Sequence, residues 1–86
     1  MERPGWPEWW HWKLHLSSHA ALRTRTRDFT ETDLRAMLED ASELTPDIEP
    51  GRWVVRTKLH GSAWEVIVEP DFATRQLVIV TGFAIQ

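Results

Sequence analysis

The chain has 86 residues, no cysteine, six tryptophans and a formal net charge of −3. A chain this short forms one domain and buries only about 60 % of the surface its unfolded form exposes, so its core has to be built from large side chains. The lack of cysteine excludes a disulfide framework and a zinc ribbon and fits a reducing cytosol, and no apolar run approaches the roughly 18–20 residues of a membrane span.

The opening "MERPGWPEWW" has no basic stretch followed by an apolar one, so no signal peptide is expected and the expected location is cytoplasmic. Residues 1–9 read as a Trp/Pro-rich N-terminal extension of a single domain covering 1–86. Charge is distributed unevenly. Residues 11–27 hold Lys13 and three arginines with no acid, whereas residues 28–50 hold eight acids against Arg35 alone. A free nucleic-acid binder usually shows a basic domain. Here a local basic stretch lies beside an acidic one, which leaves room for a small phosphate site but not for strong long-range attraction.

In chain order, Trp10, Trp12, Leu14 and Leu16 alternate with His11, Lys13 and His15, a period of two that predicts a half-buried strand. Trp10 and Trp12 are expected to face the core. Ser17 and Ser18 offer N-cap oxygens, and "HAALRTRTR" predicts a short helix with Leu22 as its main core anchor. Thr30 stands three residues before Asp33, as in a capping box. From there Leu34, Met37, Leu38, Ala41 and Leu44 follow a helical stripe that "TPDIEPG" ends.

Three strands complete the chain. In the first, Trp53, Val55, Thr57 and Leu59 alternate against Arg52, Val54, Arg56 and Lys58. Gly61-Ser62 suits a two-residue hairpin turn. Trp64, Val66 and Val68 alternate against Glu65, Ile67 and Glu69 in the second. "QLVIVTGFAI" is apolar on both faces, which predicts an interior strand. By simple alternation Thr81 shares a face with Leu77, Ile79 and Phe83. The expected fold is α+β: strand-helix-helix-strand-strand-strand, a mostly antiparallel four-stranded sheet with two helices packed on one face.

His11, His15 and His19 are spaced by four, which on a continuous helix would suit metal ligands. The alternating pattern instead divides them between strand and helix, and no cysteine or nearby carboxylate completes a set, so no metal or other cofactor is expected. On the first helix His19, Arg23 and Arg27 fall within roughly 80° of arc. One face then presents an imidazole, which exchanges protons near neutral pH, and guanidiniums, which bind phosphate and stabilise charge developing on it. Those are parts suited to cleaving RNA without a metal. The other reading is a solvated face whose arginines pair with the acidic second helix.

"LSSHAALRTRTRDFTETDLRAML" resembles the opening of a family of small bacterial domains of unknown function: a short strand, His-Ala, an Arg four residues on, another Arg four later, and a Ser/Thr-led acidic helix. "LVIVTGFAI" resembles that family's closing strand, with Thr81 followed by the aromatic Phe83. The likeness covers about residues 14–85. The family is similar in element order to RelE-like toxins, which belong to a wider group of metal-independent ribonucleases including barnase, EndoU and the tRNase colicins. The resemblance implies that His19 acts as general base or acid, that Arg23 and Arg27 bind phosphate, and that Thr81 hydrogen-bonds a phosphate oxygen. Lys13, His15 and Arg56 join as substrate-binding residues because they lie on polar strand faces. An RNA substrate, and a cognate antitoxin or other protein partner, are implied as well.

Trp6, Trp9, Trp10 and Trp12 crowd seven residues. Three readings stay open: they close one end of a small core, they form a partner-binding patch centred on Trp6 and Trp9 for an antitoxin or a second copy in a homodimer, or they stack unpaired RNA bases. Two functions follow. One is an endoribonuclease toxin of a bacterial toxin-antitoxin or conflict system, for which His19, Arg23, Arg27 and Thr81 should line one site. The other is a non-catalytic interaction module on the same fold, using the tryptophans or the acidic helix, for which those residues should be dispersed or held in internal ion pairs with Asp28, Asp33 or Glu39.

Overall fold

A computed structural model describes residues 5–26 and 28–85. Pro7 opens a 3₁₀ turn (Glu8–His11), closed by hydrogen bonds from the Trp10 and Trp12 backbone N–H groups to the Pro7 and Trp9 carbonyls at 3.1 and 3.0 Å. The first strand, β1, therefore spans only Lys13–Leu16. The strand is shorter than expected because the turn takes residues 8–11 and also carries Trp9 inward, yet the alternation holds: Trp10, Trp12, Leu14 and Leu16 pack against the core while His11, Lys13 and His15 are exposed. Trp9 is 6 % exposed, while Trp10 and Trp12 are half-buried.

Helix α1 (Ser18–Arg25) starts at Ser17, whose Oγ accepts from Ala20 N–H at 3.0 Å. The same serine donates its hydroxyl to the Val80 carbonyl at 2.7 Å, and its N–H goes to the Ile79 carbonyl. These bonds draw the start of α1 against the last strand, so Ala20 becomes the fully buried position. Leu22, two residues or about 200° further round the helix, is 55 % exposed and is not the core anchor its chemistry suggests.

Helix α2 (Glu31–Glu39) has the capping box in full: Thr30 Oγ1 accepts from Asp33 N–H at 3.0 Å, and Asp33 accepts from Thr30 N–H at 2.9 Å. Each bond satisfies a donor that a helix start otherwise leaves unpaired. Leu34, Met37 and Leu38 bury the inner face. The helix stops at Glu39, so Ala41 and Leu44 do not extend its stripe. Leu44 instead belongs to β2 (Glu43–Pro46), a strand absent from the expected order.

The remaining strands are β3 (Trp53–Leu59), β4 (Ser62–Asp71) and β5 (Gln76–Ala84). The β3–β4 turn is His60-Gly61, one residue earlier than expected, and both residues have positive φ, 50° and 81°. That is the twist a tight hairpin needs. The sheet has five strands in the order β1-β5-β4-β3-β2, against the four expected. It is mixed, because β1 lies parallel to β5 while the other pairs are antiparallel. The α+β class and the interior position of β5 hold.

Phe29, Leu34 and Met37 pack against Val55, Val66, Val68, Leu77 and Ile79 on one sheet face. Thr57, buried there, donates its hydroxyl to the Met37 carbonyl and ties β3 to α2. Among the described residues both helices lie on this face. No described helix covers the other face, on which Lys13, His15, Arg56 and Lys58 are exposed while Val54, Ile67 and Val78 are half-buried.

One irregularity decides which face the end of β5 presents. Val68 pairs with Ile79, but Ile67 pairs with Thr81, so Val80 is an extra residue in β5. A bulge of this kind reverses the inside–outside alternation beyond it. Leu77 and Ile79 face the helices. Beyond the bulge it is Gly82 that is buried, while Thr81 and Phe83 turn to the uncovered face. Thr81 thus shares a face with Phe83 but not with Leu77 or Ile79.

Candidate functional site

Strand β1 covers β5 only as far as Ile79, so the rest of the outer edge of β5 needs other partners. Ser17 takes the Val80 carbonyl, and Arg23, one helical turn and a half further along α1, donates Nη1 to the Gly82 carbonyl. The same Nη1 lies 3.4 Å from Thr81 Oγ1. Nε of Arg23 donates to Asp28 Oδ2 at 3.0 Å, and the guanidinium carbon stands 5.4 Å from the centre of the Phe29 ring. Arg23 is therefore fixed at the rim of the sheet by a carboxylate, a carbonyl, a hydroxyl and a ring.

His19 precedes Arg23 by four residues on α1, so the two side chains share one helix face. It is exposed, and its side chain makes no hydrogen bond or ion pair among the described residues. Arg27, the second arginine of the expected set, lies outside the described residues. The structure therefore brings Arg23 to Thr81, leaves the His19 side chain exposed one turn away, and engages Arg23 with Asp28, an ion pair that the second of the two functional readings expects.

The other candidate residues are more scattered. Lys13 and His15 lie on the uncovered face, on β1. Arg56 sits on the same face in β3, between Glu65 at 3.3 Å and Glu43 at 3.6 Å, so its single charge is shared by carboxylates on β4 and β2. Trp9 is in the core, with ring centres 6.3 Å from Trp10 and 5.6 Å from Trp53. Trp6 is half-buried and meets Trp10 edge-on at 4.7 Å. The N-terminal segment is thus part of the core through Trp9. His11, His15 and His19 occupy three different elements, and among the described residues no three His, Asp or Glu side chains gather as metal ligands.

Asp28, Ser17 and the Gly82 carbonyl were not singled out as site residues by the sequence pattern. The Ser17 cap was readable, but its hydroxyl bond to Val80 joins residues far apart in the chain, and the Arg23–Asp28 spacing of five has no helical signature. The hydrogen bond from Arg23 holds the Asp28 carboxyl below the ordinary aspartate range, with partial burial opposing the shift and Thr26 adding to it. A depressed folded-state value stabilises the fold above the unfolded-state value and loses that contribution as pH falls through the folded one. Wild type should therefore be more stable than Asp28→Asn at pH 7. The difference should shrink as pH falls below about 4, the ordinary aspartate range. Paired urea titrations across that window measure it, and a difference independent of pH would mean that the Asp28 charge has no role.

A scan against protein-family models and searches of curated proteins and of solved structures found no significant match.

Proposed function

We propose that this chain is a metal-independent endoribonuclease toxin of a bacterial toxin-antitoxin or conflict system, built on a RelE-like plan with one strand added. The observation that carries the reading is the Arg23–Thr81 approach at 3.4 Å, beside the helix face on which His19 is exposed. In this reading His19 takes the proton of a ribose 2′-hydroxyl. The 2′-oxygen attacks the adjacent phosphorus, the 5′-oxygen leaves and takes a proton from water, and a 2′,3′-cyclic phosphate remains. Arg23 meets the charge that develops on the phosphoryl oxygens with N–H groups not directed at Asp28 or Gly82, and Thr81 donates its hydroxyl. Arg27 adds a second guanidinium, and Lys13 and His15 extend the substrate contact along β1.

A second reading is supported by the same arginine. Its bonds to Asp28 and to the Gly82 carbonyl are those of a residue that seals a sheet edge, which suits a non-catalytic interaction module. Such a module would use Trp6 or the acidic α2 to hold an antitoxin, another protein or a second copy.

His19→Ala separates the two, because the His19 side chain has no partner to lose among the described residues. Tightly induced expression in a bacterium should arrest growth with the native chain and not with His19→Ala at equal abundance. Equal growth of both strains would favour the interaction module.

A further inference from the structure

On the sheet face opposite the helices the strand register arranges side chains in rows. Val54 on β3 stands beside Ile67 on β4, both half-buried. On one side of this apolar row Arg52 meets Glu69 at 3.0 Å, and on the other Arg56 meets Glu65 at 3.3 Å. In both pairs the cation is on β3 and the anion on β4. These pairs still have surface to offer, since the Arg52 and Glu69 side chains are 38 % and 45 % exposed.

The charges narrow the occupant. Glu43, Glu65, Glu69 and Asp71 on this face match Lys13, Arg52, Arg56 and Lys58, so its net charge is zero with His15 neutral. Such a face exerts little long-range pull on a polyanion or on a strongly charged protein. It is, however, complementary to itself. A two-fold rotation about a line between β3 and β4, along the strands, lays β3 of one copy over β4 of another and keeps every residue in its own row. Arg52 then lies over Glu69 of the second copy, Val54 over Ile67 and Arg56 over Glu65, and each contact occurs twice. In these three rows every cation meets an anion and the apolar row meets itself, which is what an isologous interface needs. Sheets packed face to face lie about 10 Å apart, a gap that arginine and glutamate side chains reaching from both sides can fill.

We infer that two copies of this chain associate through these faces as a two-fold dimer, with the axis between β3 and β4. The overlap runs from β2 to β5 and covers about 19 Å by 25 Å. That is on the order of 1,000 Å² over both copies, at the weak end of specific interfaces, so the dimer forms only as concentration rises. The inference does not rest on the ribonuclease reading. It bears on it, because β5 falls opposite β2 of the second copy and Thr81 and Phe83 lie beneath that strand. If both hold, the monomer is the active form.

The test is a charge swap that preserves the ion pair inside each copy: Arg52→Glu together with Glu69→Arg. Sedimentation equilibrium from roughly 1 μM to 1 mM should show the wild type passing from monomer to dimer. The swapped chain should do the same with a similar midpoint, because its charges again meet their opposites across the axis. The two chains should not combine. In a mixed dimer Arg52 of the wild type faces the new arginine at position 69, and Glu69 faces the new glutamate at position 52. Fluorescence anisotropy of labelled wild type should therefore give an affinity for the swapped chain at least tenfold below that for unlabelled wild type. Ile67→Thr, a milder change should the swap disturb folding, should weaken self-association by roughly tenfold. Melting transitions check that each chain is folded. A wild type that stays monomeric throughout, a folded swapped chain that binds wild type as tightly as wild type binds itself or no longer self-associates, or an unchanged midpoint in Ile67→Thr would each overturn the inference. These substitutions leave His19, Arg23 and Thr81 in place, so such a failure would leave the ribonuclease reading standing. Self-association that obeys the swap, in a chain that does not arrest growth, would support the inference and remove that reading.

Discussion

Replacing Phe29 by alanine should cost about 3–5 kcal/mol of folding stability, the usual cost of deleting a buried phenylalanine. A domain of this size has about 4–13 kcal/mol in total, so much of the chain would unfold at modest urea concentrations. Phe29 is 1 % exposed and stands on the short connection between α1 and α2, with the helices on either side of it in the chain. Its ring meets Trp64 edge-to-face at 6.1 Å and lies 5.4 Å from the guanidinium carbon of Arg23. It also fills the space opposite Gly82, where an added Cβ would come within 3.7 Å of the ring. The substitution would therefore open a cavity under β4 and β5 and remove the surface on which Arg23 rests. Phe29→Leu, which keeps most of the volume, should cost less than half as much. Equilibrium urea denaturation measures both, and a loss below about 1 kcal/mol for Phe29→Ala would show that the core closes around the gap.

Trp9→Ala should have an effect of similar size, about 3–5 kcal/mol. Its indole is 6 % exposed and is bracketed by Trp10 and Trp53, and aromatic pairs of this kind add to the gain from burial alone. Trp6→Ala should cost clearly less, because Trp6 is only half-buried. The comparison sorts the tryptophans by task. A large loss at Trp9 assigns it to the core, so that a partner surface on the N-terminal segment would have to use Trp6. Retained stability in Trp9→Ala would return Trp9 to the set of residues available to a partner. Urea midpoints at a constant m-value decide between these outcomes.

The spacing of His19 and Arg23 could be read directly, because two residues four apart on any helix share a face. The capping box at Thr30 and Asp33, the Ser17 cap and the alternation of β3 and β4 were legible for the same reason: each is a local rule. A cap joins atoms three residues apart, and strand alternation follows from the pleat of a single strand. The approach of Arg23 to Thr81 spans 58 positions of sequence, and nothing in either segment states it.

Local chemistry by itself therefore determined the α+β class, the two helix starts, the inward set of β3 and β4, and the pairing of an imidazole with a guanidinium on one helix face. Tertiary structure alone decided the rest. Leu44 continues a helical stripe as well as it fits a strand, and β2 exists because β3 offers its backbone edge. The parallel pairing of β1 with β5 brings together chain segments more than sixty residues apart. The bulge at Val80 is a mismatch between two strands, so it is a property of neither alone. Yet it sets which way Thr81 and Phe83 point. Side-chain periodicity is written within a strand, whereas the register that orients the strand's end is settled only when its partner's hydrogen bonds are in place.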